Sequence, residues 1–176
     1  MRPISSLVLA GILAASGCAN VGLLPVTSAG VSGGSGRLQS DGVGVEVCGV
    51  VDEFCKLGDL QARVTSLPMR EGRYGARAHV NSADLMVVGR LPIIPAWDPW
   101  LHARLGGGYS LGIVDYADGA DFGGMGLCGT AGIGVGLTEN SSLDVFGNAH
   151  GWVGADGGSS QSAYAVSLGA ALSVRF

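Results

Sequence analysis

Residues 162–176, SAYAVSLGAALSVRF, alternate in character to the end of the chain. Tyr164, Val166, Leu168, Ala170, Leu172, Val174 and Phe176 form one apolar face. Ala163, Ala165, Ser167, Gly169, Ala171, Ser173 and Arg175 form the other, which is small, polar or charged. A period of two is the signature of a β-strand, whose successive side chains point to opposite sides. Strands of soluble proteins run to about five or six residues, whereas a tilted strand needs about nine to eleven to cross a bilayer. The length of this run predicts a membrane-crossing strand.

Composition agrees. The chain has 32 glycines among 176 residues, with few prolines and no Gly-X-Y period. Glycine at this level is unfavourable in helices and in strands marks bends and close backbone approach. Charged residues make up 14%, against roughly a quarter in typical soluble domains. The mean hydropathy is positive, yet beyond the N-terminus no run of about eighteen uncharged apolar residues is long enough for a membrane helix. Alternating strands produce this combination. The net charge of −4 gives no nucleic-acid footprint.

Residues 1–17 have the layout of an export signal: Arg2, an apolar core from Leu7 to Ala15, then Ala15-Ser16-Gly17 before Cys18. Small residues before a cysteine resemble a bacterial lipobox, which would make Cys18 the lipidated first residue. Ordinary signal-peptidase cleavage without a lipid is the alternative. Cys48, Cys55 and Cys128 are an odd number in an exported chain, so at least one is expected as a free thiol. Residues 18–41 read as the lipidation site and a flexible linker, and residues 42–176 as the barrel domain.

Eight strands are expected in that domain, at about 42–52, 59–67, 74–81, 84–94, 100–111, 125–138, 142–153 and 162–176. Residues 68–73 read as a turn, Ser82-Ala83 as a short connection, and 112–124 as the longest loop. An even number of long amphipathic strands predicts an all-β, closed, antiparallel eight-stranded transmembrane barrel, with the linker and both termini on the periplasmic side. The last strand is expected to close the barrel against residues 43–51.

Two stretches carry a family resemblance. Residues 99–109, PWLHARLGGGY, and residues 130–145, TAGIGVGLTENSSLDV, resemble a strand and a hairpin of the small outer membrane protein A/X-like barrels. The ending Val174-Arg175-Phe176 is similar to their C-terminal assembly signal. The resemblance covers about residues 42–176. It implies outer-membrane location and insertion by the barrel-assembly machinery, read from Phe176, Val174, Leu172 and Tyr164. It implies no specific activity.

The inward face of these eight strands collects Glu46, Asp52, Arg63, Arg77, Arg90, Arg104, Asp144 and Arg175, with His79, His102 and His150. Eight strands enclose a space about filled by side chains, so these charges must pair and form a lumen charge network. A narrow anion path is the functional alternative. His150 resembles the histidine of lipid A deacylase barrels, but Trp152 stands where the serine would be. Asp115, Asp118 and Asp121 read as a solvated loop rather than a Ca²⁺ site. Trp97, Trp100 and Tyr74 read as an interfacial girdle. No catalytic residue, metal or cofactor is expected. The leading function is a non-enzymatic, monomeric integral outer-membrane barrel with a structural, surface-interaction or minor-pore role, its partner being the lipid bilayer. The rival is an exported lipocalin-like lipoprotein that binds a small apolar ligand. The two differ in direction: the rival turns Leu85, Val87, Leu105, Ile133, Leu172 and Val174 inward and leaves Arg63, Arg90 and Arg104 in water.

Overall fold

A computed structural model describes residues 18–31, 37–55, 58–71, 75–94, 100–117, 122–156 and 159–175. The described residues form nine strands: β1 (Cys18–Val31), β2 (Arg37–Ser40), β3 (Gly44–Cys55), β4 (Gly58–Glu71), β5 (Arg77–Pro92), β6 (Leu101–Tyr116), β7 (Phe122–Thr138), β8 (Ser141–Asp156) and β9 (Ser159–Arg175). All pairings are antiparallel. β2 and β3 share one position in the wall, since both pair with β1 on one side and β4 on the other. The sheet therefore has eight positions, and β1–β9 pairing closes it into a barrel.

The closing strand is the main correction to the sequence reading. Residues 18–31, expected within a flexible linker, form β1. β9 closes against β1, with Leu172 opposite Val21 and Tyr164 opposite Gly30, and not against residues 43–51. That segment lies between β1 and β4. The expected total of eight arose from two offsetting errors: β1 was missed and β5 was divided in two. Following cross-strand partners around the wall from Ala29 through Ala165, His150, Cys128, Gly108, Met86, Gln61 and Val50 leads to Cys18 instead of back to Ala29. This stagger tilts the strands strongly.

β5 shows why it reads as two strands. Its burial alternates without a break. Toward the termini Ala83, Leu85, Val87, Gly89 and Leu91 face outward, and Asp84, Met86 and Val88 face inward. Toward the other end the polarity reverses: Ala78 and Val80 are buried inside, while Arg77, His79 and Asn81 face out. β4 does the same, with Leu60, Ala62 and Val64 outward, then Leu67 and Met69 inward beside outward Arg70. The physical cause is a change of solvent. Within hydrocarbon the outer face must be apolar; beyond it the outer face meets water, and apolar residues move inside. A sixteen-residue strand rises about 50 Å along its axis, more than a tilted strand needs to cross an apolar band about 25 Å tall. The strands thus project past the band at the end opposite the termini. Arg77 and His79, expected in the lumen, stand outside because strand parity runs unbroken through Ser82 and Ala83.

The exposed residues of the band decide between the two architectures. Leu105 is 64% exposed, Ile133 53%, Leu85 52% and Leu172 48%, whereas Arg63 is 3% and Arg104 7% exposed. The lipocalin-like orientation is overturned.

Connections are short at both ends. Residues 68–71 continue β4 instead of turning, and 112–116 and 122–124 belong to β6 and β7, so the expected long loop shrinks to residues 117–121. Asp115 lies on β6 and accepts from Asn81 Nδ2 at 3.3 Å. Asp118 and Asp121 lie outside the described residues, as do residues 1–17, Tyr74, Trp97 and Phe176. Trp100, half exposed, stands at the terminal end beside the start of β6.

Candidate functional site

The inward side chains of the band gather into two ion-paired centres. In the first, Arg63, Asp84 and Ser110 are successive partners in one cross-strand row that continues through Gly126 to Trp152. Arg63 Nε donates to Asp84 Oδ2 at 2.8 Å, and its Nη1 donates to Asn148 Oδ1 at 2.7 Å, with Glu46 Oε2 at 3.4 Å. Asn148 Nδ2 donates to Glu46 at 2.9 Å. Ser110 Oγ donates to Asp84 Oδ1 at 2.6 Å and accepts from Trp152 Nε1 at 2.8 Å. His150 Nε2 lies 3.0 Å from Asp84 Oδ2, and its ring stacks on Trp152. One guanidinium thus stands between two carboxylates, and the neutral groups satisfy much of the remaining hydrogen-bonding capacity.

The second centre lies nearer the termini. Arg104 Nη1 donates to Asp144 Oδ2 at 2.7 Å, Ser173 Oγ donates to the same oxygen at 2.8 Å, and His102 Nε2 is 3.3 Å from Asp144 Oδ1. Arg104 Nη2 reaches Gln61 Oε1 at 3.2 Å, and Cys48 Sγ lies 3.6 Å from that oxygen. Gly134 makes this centre possible, because a Cβ there would collide with both Asp144 and His102. Phe146 and Met86 are also buried on the inward face.

Toward the end opposite the termini the interior becomes apolar. Leu38, Leu67, Met69, Ala78, Val80, Val114, Phe122, Trp152, Ala163 and Ala165 belong to one buried cluster. The Trp152 indole lies where a Cβ on Gly112 would stand, so glycine at that position lets a large ring cover the first centre. This cap is the interior of the projecting part of the barrel.

The expected lumen residues are distributed as follows. Glu46, Arg63, Arg104 and Asp144 lie within the two centres. Arg90 is inward near the termini, 3.5 Å from Asp59. Arg77 is outside and meets Asp41 at 3.3 Å. The side chains of Asp52, Cys55, Arg175 and Cys18 lie outside the described residues. Val174, Leu172 and Tyr164 sit on the outward face of β9. Cys48 and Cys128 are free thiols, both buried. Sequence reasoning passed over Asp84, Asn148, Gln61 and Ser110. A signal for Asp84 exists in the sequence: it shares strand parity with Arg90, which is expected inward.

The fold has known counterparts. No protein-family model matches the chain, and no curated protein matches it. Among solved structures, Neisserial surface protein A superposes with a TM-score of 0.69 over 92% of this chain and 98% of that one, at 15% identity. The chain has the fold of a small outer-membrane β-barrel. Looser similarity extends to AlkL, an outer membrane protein determined in DMPC bilayers (TM-score 0.48, 12% identity, 92% of each chain). It extends also to the attachment invasion locus protein Ail of Yersinia pestis (TM-score 0.43, 11% identity, 90% of this chain and 99% of that one).

Proposed function

We propose that this protein is a monomeric integral outer-membrane barrel without catalytic activity, that both termini face the periplasm, and that it acts through its surface rather than as a pore. The carrying observation is the filled lumen: two ion-paired centres under an apolar cap. An ion would have to break charge-assisted bonds at both depths and then cross an apolar layer. In planar bilayers the full chain should therefore give no steady conductance above background. Replacing Trp152 with alanine should at most add brief openings. A boiled against unboiled mobility shift on the same sample establishes that the barrel is folded. Steady single-channel currents from the shifted wild-type protein would establish the minor-pore reading instead.

Both ends of the chain belong to this reading. Cys18 is the first residue of β1 and pairs with β3 and β9, so processing there would seat an acyl anchor directly on the barrel wall. The assembly machinery would read Phe176 with Val174, Leu172 and Tyr164. Two terminal variants test this. Cys18→Ser should remove the lipid and alter the mass and processing of the chain, and deletion of Phe176 should reduce the yield of heat-shifted protein in cells several-fold. Unchanged mass removes the anchor, and unchanged yield removes the assembly role.

A further inference from the structure

Among the described residues, β2 alone joins β1 to β4 in the projecting part of the wall. Lower down, β3 pairs with β1 from Gly44 to Val50 and with β4 from Val45 onward, so the ring there is closed without β2. β2 has only four residues. Its rungs reach Ser28, Ala29 and Gly30 on β1, and Met69, Arg70 and Glu71 on β4. It is separated from its neighbours in sequence at both ends. Residues 32–36 read SGGSG, and glycine has the widest backbone freedom of any residue. Residues 41–43 form no rung with β1, and neither do the facing Pro25, Val26 and Thr27 with β2 or β3. Two ties hold β2 in place. Inside, Leu38 is fully buried in the apolar cap with Leu24, Leu67 and Met69, while the other three side chains of β2 face outward. Outside, Asp41 accepts from Arg70 Nη2 at 3.0 Å and lies 3.3 Å from Arg77 Nε. Its backbone N–H donates to the Pro68 carbonyl at 3.0 Å.

We propose that β2 is a strap that lifts from the projecting wall as a unit while the ring below stays closed, and that lifting opens a side slot between β1 and β4 into the apolar cap. Lifting breaks two short ladders and exposes one large side chain, and the β1–β3 and β3–β4 ladders lose nothing. A segment held by so few buried contacts and backbone bonds opens at a lower free energy than the whole barrel does. Its level permits this. β2 lies beyond the apolar band, so its freed N–H and C=O groups meet water, whereas within hydrocarbon they would be left unsatisfied. The outer tie links opening to the medium. Ion pairs exposed to solvent are screened by salt, so the strap should lift more readily as ionic strength rises.

The test is amide hydrogen exchange of the full chain in phosphatidylcholine nanodiscs, resolved by NMR, on samples whose gel mobility shift shows a folded barrel. The amides of β2 should exchange together and well before those of Val21 and Val47 in the β1–β3 ladder below. Leu38→Ala should accelerate the β2 amides roughly 30-fold, the low end of the cost of truncating a buried leucine. Fraying of single amides leaves Leu38 buried and would not respond in this way. Asp41→Asn should accelerate the same amides about two- to fivefold, the effect of one exposed ion pair. The wild-type comparison and the surface variant Asp41→Asn decide the matter even where Leu38→Ala yields no shifted barrel. Amides of β2 that are as protected as those of Val21 and Val47, or that ignore both substitutions, overturn the strap.

Discussion

Replacing Arg63 with methionine should destabilise the barrel by about 3–5 kcal/mol, the cost of removing one partner from a buried ion pair. Arg63 is 3% exposed and stands between Asp84 and Glu46. Without it two carboxylates share a closed lumen and are left to neutral or weakly basic neighbours such as Asn148, Ser110, Ser82 and His150. Urea unfolding in vesicles, followed by tryptophan fluorescence, measures the loss. Adding Asp84→Asn and Glu46→Gln should recover most of it, because the damage lies in the uncompensated charges and not in the lost attraction. A single-variant cost below about 1 kcal/mol would mean that the lumen admits enough water to solvate both acids, and the closed-lumen reading would fall with it.

An arginine placed along the outer face of β5 should report where hydrocarbon ends. At Val87, within the band, arginine should cost about 2–4 kcal/mol, the range for the midplane of a transmembrane barrel. At Asn81, only six residues along the same strand and on the same face, the cost should fall to about 0–1 kcal/mol. The same equilibrium unfolding measurement applies. A flat profile across the two positions would place both in one solvent and remove the explanation offered for the polarity switch at Ser82 and Ala83. The inner face should respond in the opposite sense: a charge at Val80 enters the apolar cap, so it should cost more than the one at Asn81.

Much of the architecture is local and therefore visible in the sequence. Alternation in β6, β7, β8 and β9 places Leu105, Ile133, Val145 and Leu172 outward, and it places Arg104 and Asp144 inward, with no knowledge of their neighbours. β1 escaped because its alternation is interrupted. Pro25 lies in a β-bulge between Leu23 and Val26, and the extra residue shifts the parity, so that Val21, Leu23 and Val26 all face outward although 23 and 26 differ in parity. Read as a strict period of two, that segment resembles a linker. Arg77 and His79 were misplaced for a related reason. A strand that passes from lipid into water exchanges its apolar face, and this looks like a new strand when only the sequence is read.

By itself the sequence determined the class: an all-β chain whose long alternating runs cannot be folded as helices and whose outward residues suit hydrocarbon. That follows from the fixed period of the strand, a property of adjacent residues. Only the tertiary structure decided which strand closes the barrel, where the bilayer stops along each strand, and which charges meet. Arg63 finds Asp84 through strand register, but Asn148 and Glu46 lie across the lumen from each other. Gln61 and Asp144 come within reach of Arg104 only because the closed wall is staggered and narrow. Those distances depend on the stagger and radius of the whole barrel, and no short stretch of sequence encodes either one.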